Sequence, residues 1–350
     1  MTDFLLYGAT GFVGEVIARR AVASGLRPLL AGRNQAKLEQ LAWELKQDFM
    51  AFSLDDPVKM ESAFASAPLV LNCAGPFMYT YEPVVEACLS SGAHYLDITG
   101  ELPVFQALAD LHGAARERGI MLMPGVGFDV VPTDCLAVYL KNRLPSATQL
   151  TLAFQVFGPA GLPPGTQRTM VELIPFGNRI RRNGELVKPR QALKTRQIDF
   201  GGGPVMATRI TWGDVFTAYY STGIPNIENY LVIPEQLHAK MKKLDRWRAL
   251  FRIPLIRNYL KRKVKPGPTR HTRTHTHTIV YGEVVDPENH KISAILRGPE
   301  PGVEWTTETA LAAVKKVLQG KFEAGFQTPA KVFGADFVLE GQGVKREDID

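Results

Sequence analysis

The chain opens MTDFLLYGATGFVGE, and no other stretch restricts its fold as much. Phe4 to Tyr7 is a short apolar run with strand character. Gly8, Gly11 and Gly14 follow at three-residue spacing, and from Phe12 onward the composition is helical. Strand, glycine turn and helix in this order are the context in which a Gly-rich match reads as dinucleotide binding. A Cβ in the turn would keep the backbone away from a pyrophosphate. The amides that begin the helix, aided by its dipole, then face the phosphates, and Gly14 lets the helix pack closely on the strand. Gly8, Thr10, Gly11, Phe12, Val13 and Gly14 are therefore cofactor-binding candidates, with a plain tight turn as the alternative.

Strand-like and helix-like segments alternate after this turn. Strands are expected at 27–31, 49–53, 69–73, 94–98 and 120–123, and helices at 35–47, 57–65, 81–91 and 103–118. Leu38, Leu41 and Leu45 mark the buried side of the first of these helices. This βαβ rhythm predicts an α/β fold, a Rossmann-type doubly wound parallel sheet over residues 1–127. Ligands of such sheets lie beyond the carboxyl ends of the strands, so each loop after a strand is a candidate.

After the second strand come Arg33 and Asn34. An acid here suits the ribose 2′-hydroxyl of NAD, whereas an arginine suits the 2′-phosphate of NADP, so NADP is the expected cofactor. Asp55 is placed near the adenine edge or as a helix N-cap. The small-residue loop Asn72, Ala74, Gly75 and Pro76 lets the backbone border the pyrophosphate and nicotinamide ribose. Tyr79 and Tyr81 either face the nicotinamide or pack with a polar tip at the surface. Asp97 and Glu101 follow the fifth strand; they can relay a proton or orient a substrate amine, or the second can belong to a helix cap. Tyr79, Tyr81 and Asp97 are the catalytic candidates. Asp129, in the turn-rich stretch after the sixth strand, approaches the nicotinamide end.

A chain of 350 residues accommodates two domains. Three cysteines with no metal-type spacing point to a reducing compartment and no disulfide framework, and no apolar run is long enough for a spanning helix. A cytoplasmic location is expected. The net charge of +6 is uneven: residues 237–273 hold thirteen Lys or Arg and one acid, Asp245, for +12, leaving −6 on the rest.

The second domain is expected over 128–340, with its C-terminal helices free to pack back on the first and a loose tail at 341–350. A strand is expected at 148–157, then a helix at 166–181 whose first turn carries Arg168, a substrate candidate. Extended segments are expected at 185–200, with strands at 208–211 and 216–220. Between 246 and 263, Trp247, Leu250, Phe251, Leu255 and Tyr259 are interleaved with seven Lys or Arg. This pattern fits an interfacial helix on anionic lipid, a solvated basic face or homodimer contact, or a site for an acidic acyl carrier. Nucleic acid is not expected, because no recognised binding module accompanies the patch. TRHTRTHTHT at 269–278 alternates as an exposed strand; His271, His275 and His277 would share a face, but no third metal ligand is evident, and no metal is expected. Residues 306–318 form an amphipathic helix.

The motifs GATGFVG, AGRN, LNCAGPF, GAHYLDITGE and PGVGFDVVPTD, with later matches to ETALAAVKKVL and GFQTPAKVFGADFVLE, resemble the saccharopine dehydrogenase-like oxidoreductases, a family that includes trans-acting enoyl reductases. The resemblance implies an NAD(P)-binding Rossmann domain and a second α/β domain on a mixed sheet. It implies that Gly8, Gly11, Gly14 and Arg33 belong to the cofactor loop, and that Asn72, Ala74 and Gly75 lie under the nicotinamide ribose. Gly127, Phe128 and Asp129 would lead into the second domain, with Glu101, Phe128, Asp129 and Arg168 near the substrate. The implied activity is NADPH-dependent reduction of a C=C bond in a small acyl or lipid-like substrate, the alternatives being an imine or amino-acid oxidoreductase of the saccharopine type and a non-catalytic NADP-binding scaffold or sensor peripheral to the inner face of a membrane. Arg168, Arg179 and Arg209 are the counterparts in view for a polycarboxylate substrate.

Overall fold

Six apolar strands alternate with helices through residue 123: β1 Phe4–Tyr7, β2 Pro28–Gly32, β3 Phe49–Ala51, β4 Leu69–Asn72, β5 His94–Asp97 and β6 Met121–Met123. The computed structural model describes residues 2–159 and 161–349; Met1, Ala160 and Asp350 lie outside the described residues. Ten further strands follow: β7 Gln149–Phe157, β8 Ile180–Arg182, β9 Glu185–Val187, β10 Thr195–Asp199, β11 Pro204–Ile210, β12 Asn226–Val232, β13 His277–Val285, β14 Lys291–Gly298, β15 Gly325–Phe326 and β16 Lys345–Asp348.

The first sheet runs β15-β6-β5-β4-β1-β2-β3, with every pairing parallel. β1, β2 and β4 are buried throughout, as strands covered by helices on both faces must be. The order reverses between β1 and β4, which opens the ligand crevice of a doubly wound sheet at their carboxyl ends. β15 returns from near the end of the chain to extend this sheet beside β6. The Thr306–Leu318 helix packs against the Phe12–Ala23 helix.

The second sheet is mixed, in the order β10-β11-β12-β7-β13-β14-β16 with β8 and β9 beside β12; β12 and β7 are parallel and the remaining pairs antiparallel. The helix Val131–Arg143 buries most of its surface and links the two sheets. One apolar cluster joins Leu6 and Leu71 of the first sheet, through Val131, Leu136 and Leu140, to Leu152 and Val280 of the second.

Four local expectations are corrected. Residues 216–220 belong to a helix, Asp214–Thr222, rather than a strand; Gly213 precedes it and left-handed Gly223 ends it. The expected 166–181 helix stops at Leu173, where Pro175 and left-handed Gly177 turn the chain into β8. The TRHTRTHTHT segment begins as a short helix, Arg270–Thr274, because the Thr269 hydroxyl caps the Thr272 amide. His271 and His275 then lie four residues apart with their rings tilted by 42°, while His277 starts β13 and stacks on Phe157. The tail is not loose: Lys345–Asp348 adds an antiparallel edge strand to β14.

Candidate functional site

The glycine turn sits at the crevice. Gly8 has φ +84°, and a Cβ there would come within 2.9 Å of the Cys73 carbonyl carbon and the Ala74 amide nitrogen. A Cβ on Gly14 would lie 2.2 Å from the Gly8 carbonyl oxygen. Turn, helix and β4 loop are thus in backbone contact, and no side chain occupies the space between them. Gly11 is the extended N-cap of the Phe12–Ala23 helix and offers no side-chain cap. The first amides of that helix have no intrahelical acceptor and are available to an anion. A diphosphate fits this cradle, with Gly8, Thr10, Gly11, Phe12, Val13 and Gly14 around it. Phe12 is exposed and lies against Gly267, whose Cβ would come 2.4 Å from the ring; the segment after Lys263 therefore passes beside the helix start.

Arg33 is exposed, and among the described residues it forms no ion pair. The neighbouring Tyr7 phenol is pushed up to about 12, chiefly by burial, with Arg33 lowering it and Asp55 raising it. Both charges therefore flank the end of β1, where a 2′-phosphoryl ribose would lie. Asn34 caps the Gln35–Leu45 helix by accepting the Lys37 amide at 3.0 Å, so its carboxamide oxygen is already engaged. The next helix is capped by Asp56. Asp55 is left exposed; its carboxylate accepts the Ser53 hydroxyl at 3.1 Å, and its own amide donates to that hydroxyl at 3.5 Å.

The loop after β4 is braced from below. Asn72 accepts the Ala74 amide at 3.0 Å and reaches the Thr80 hydroxyl, which donates to the Ala74 carbonyl at 2.8 Å. Gly75 is exposed and Pro76 half-buried above this brace. Glu101 is buried and accepts the Phe77 and Met78 amides at 2.7 and 2.8 Å and the Thr169 hydroxyl at 2.9 Å. Burial raises its pKa against those bonds. The substrate role expected of Glu101 gives way to a positioning role, since both of its oxygens are occupied by the protein.

Asp97 is corrected in the same way. It is fully buried and accepts the Tyr95 hydroxyl at 2.6 Å and the Thr99 and Gly125 amides at 2.9 and 2.8 Å. Burial pushes its carboxyl up to about 7 despite these bonds. It ties the ends of β5 and β6 together and has no exposed atom to offer a substrate. Phe128 also turns away from the crevice, into an aromatic group with Phe154, Trp212 and Trp305.

Asp129 differs from these acids. It is only partly buried, and among the described residues its carboxylate has no hydrogen-bond partner. It lies against Gly100, whose Cβ would meet its Oδ2 at 2.5 Å. Burial, with the charge of Glu101, brings it up to about 7. A carboxyl at the carboxyl edge of the sheet that titrates near neutrality suits proton transfer. Tyr81 is half-buried at the start of its helix and held protonated by burial.

Tyr79 is exposed and donates to Glu172 at 2.9 Å. Burial, and then this bond, raise its pKa. Glu172 is itself buried and also accepts Arg257 at 2.8 Å and Lys261. Burial favours its protonation, but the Lys261 and Tyr79 bonds outweigh that and hold its pKa low. The basic helix Pro254–Arg262 is thereby pinned over the cofactor loop. Between them is a cavity of about 380 Å³ lined by Pro76, Tyr79, Arg168, Asn258, Lys261 and Arg262. Arg168 is exposed and has no ion-pair partner among the described residues. Arg209 is instead buried against Glu228, and Arg179 bonds the Phe176 and Asn178 carbonyls. A larger cavity of about 510 Å³, containing Arg181, Arg182, Lys194 and Arg196, is lined by second-domain residues only.

Glu172, Asn258, Lys261 and Arg262 were not legible as site residues. Glu172 lies three residues after Thr169 on one helix, but the partners that give it a role come from 85 and 89 residues away.

Residues 4–123 match the family described as saccharopine dehydrogenase NADP binding domain. The matched segment contains the glycine turn, Arg33 and the loop after β4. NADP is the cofactor that this match gives, in agreement with the exposed Arg33 and the close-packed glycine turn. A mouse saccharopine dehydrogenase-like oxidoreductase is 33% identical over 181 residues, covering 45% of this chain and 42% of the relative. A trans-acting enoyl reductase of Mycobacterium tuberculosis is 36% identical over 149 residues, covering 40% of this chain and 36% of the relative. The chain thus spans less than half the length of these relatives in the matched region. Apo saccharopine dehydrogenase (L-Glu forming) from Saccharomyces cerevisiae superposes over 100% of both chains with a TM-score of 0.72 at 12% identity. That likeness extends the shared fold beyond the NADP-binding domain to the mixed second sheet.

Proposed function

We propose that the protein is an NADPH-dependent oxidoreductase that reduces the C=C bond of an acyl or lipid-like substrate. The observation that carries this reading is the cavity between the cofactor loop, at Pro76 and Tyr79, and the basic helix, at Asn258, Lys261 and Arg262. NADPH bound on the glycine turn supplies the hydride. The chain's own residues do the rest. Asn72 and Glu101 hold the loop that borders the nicotinamide ribose. Arg168 and Arg262 offer positive charge to the oxyanion that develops on the acyl carbonyl as the conjugated double bond is reduced. Asp129, whose carboxyl burial brings up to about 7, delivers a proton to the carbon next to the carbonyl as hydride adds to the other alkene carbon. Atoms balance: one hydride and one proton are added, and NADP is the oxidised product. The curated enoyl-reductase relative supports this choice of bond.

A second reading is hydride transfer to an imine of the amino-acid type. The cations Arg168, Lys261 and Arg262 at the cavity favour it, because such substrates carry carboxylates. The two readings separate in one experiment, NADPH oxidation measured across α,β-unsaturated acyl thioesters and across imines formed from 2-oxo acids and amines. Turnover of the thioesters, with Asp129→Asn lowering kcat by about a hundredfold or more, supports the first. Turnover of imines alone overturns it. NADPH that binds and is never consumed would leave the chain an NADP-binding scaffold or sensor.

A further inference from the structure

The Pro254–Arg262 helix has two faces that differ in what they touch. Arg257 and Lys261, one turn apart, point inward to Glu172. Leu255 and Tyr259, also one turn apart, lie roughly opposite them at ~100° per residue and are 78% and 58% exposed. A helix that turns two of its three cations to the protein and its leucine and tyrosine to water is inverted relative to an ordinary surface helix. The neighbouring segment continues the pattern. Trp247, the residue that ends the Glu235–Arg246 helix, is 61% exposed, and Leu250 and Ile253 beyond it are also open. Phe251, between those two, is the side chain that anchors this segment inward. Three exposed cations with no ion pair among the described residues rim the apolar side chains: Arg252, Arg262 and Lys263, the last lying 4.4 Å above the Tyr259 ring.

We infer that the face made by Trp247, Leu250, Ile253, Leu255 and Tyr259 docks on an anionic membrane surface. Charge complementarity selects the occupant. The 237–273 segment carries +12 while the remainder of the chain carries −6, so a negatively charged plane attracts this one side and repels the rest. Apolar side chains to enter the headgroup region, with Lys and Arg beside them and an aromatic pair at the boundary, are what interfacial helices present. No helix among the described residues is long and apolar enough to cross a membrane, so the contact is with the surface. Docking in this orientation also brings Asn258 and Arg262, two exposed residues of the cavity lining, to the bilayer. That consequence, delivery of a lipid-like substrate from the membrane, rests on the proposed function; the docking itself does not.

The test is co-sedimentation of the full chain with vesicles of phosphatidylcholine alone and of phosphatidylcholine mixed with phosphatidylglycerol, at low and high salt. The expected result is binding to the anionic vesicles, lost as salt rises, and weakened at least tenfold in Leu255→Asp and in Trp247→Ala. Both substitutions are at exposed positions, and retained NADPH binding shows that each variant is folded. The Trp247 emission should shift to shorter wavelength on vesicle addition, a change absent from Trp247→Phe. Failure to bind anionic vesicles overturns the inference. So does equal binding by Leu255→Asp, or a vesicle-independent dimer that Leu255→Asp dissociates, which would make this face a contact between copies of the chain. Vesicle binding with no acyl turnover would leave the docking intact and count against the reading of the reaction.

Discussion

Glu172 is the point at which the basic helix is fastened to the cofactor loop, and Glu172→Gln measures that fastening. The carboxylate is buried and accepts from Tyr79, Arg257 and Lys261. The amide keeps the shape and one acceptor but loses the charge and turns a donor toward a cation. Hydrogen bonds to charged groups contribute about 1.5–3 kcal/mol each. Removing one member of a fully buried ion pair costs about 3–5 kcal/mol. Here the side chains of Arg257 and Lys261 remain 18% and 25% exposed, so water recovers part of the loss, and about 2 kcal/mol is expected for the set. That loss falls on the 237–265 segment rather than on the global core, because the sheets do not use Glu172. Local opening should rise about 30-fold, and trypsin, which cuts at the lysines and arginines of the segment, reads it directly when cleavage is slower than reclosing. A double-mutant cycle with Lys261→Gln should show the two effects overlapping rather than adding. An unchanged tryptic rate at Arg257 and Lys261 would refute the claim that Glu172 holds this helix.

Other consequences are equally open to measurement. Gly14→Ala places a Cβ 2.2 Å from the Gly8 carbonyl oxygen, so turn and helix must separate; NADPH affinity should drop at least tenfold and the melting temperature should fall, and a wild-type titration curve would contradict the cradle. Asp134 is buried, its Oδ1 has no partner, and burial lifts its carboxyl to about 6 against bonds from Ser221 and the Ala330 amide. Its folded-state pKa is raised, so its contribution to stability is present in full below the unfolded value near 3.8 and is lost as pH rises through about 6. Asp134→Asn should therefore gain on the wild type by up to about 3 kcal/mol between pH 4 and 7 in denaturant titrations; a variant that loses ground over that window would show the acid to be stabilised by its charge. Glu101→Ala frees the Phe77 and Met78 amides inside the protein and should cost about 1–3 kcal/mol in urea unfolding, with weaker NADPH binding because the loop above loses its brace.

The first sheet was readable because its signals are local. An apolar β1, glycines at fixed spacing and helices between short buried strands specify a doubly wound sheet without any long-range information. The side of the crevice to which Arg33 and Asn72 belong followed from that order alone. What failed was of two kinds. Phe216 to Tyr220 is aromatic enough to read as a strand, but Gly213 and Gly223 bound a helix whose buried face is set by the Val131–Arg143 helix and β12. The Thr-His alternation at 269–278 was overridden by one capping hydroxyl, Thr269. The acids Asp97 and Glu101 were placed at the correct edge of the sheet, yet chemistry could not be told from bracing there, because what decides it is which amides they accept. Asp129, with no partner, and Glu172, with three, have the same kind of side chain, and only the folded chain separates them.

The measurement that bears most directly on the account is a fluorescence titration of NADPH and NADH on the purified protein and on Arg33→Ala. NADPH should bind more tightly, and the variant should lose about 10- to 100-fold in NADPH affinity, the equivalent of one charged hydrogen bond, while NADH binding stays nearly constant. Equal affinity for the two nucleotides, or an equal loss of both in Arg33→Ala, would contradict the assignment of the 2′-phosphate to Arg33.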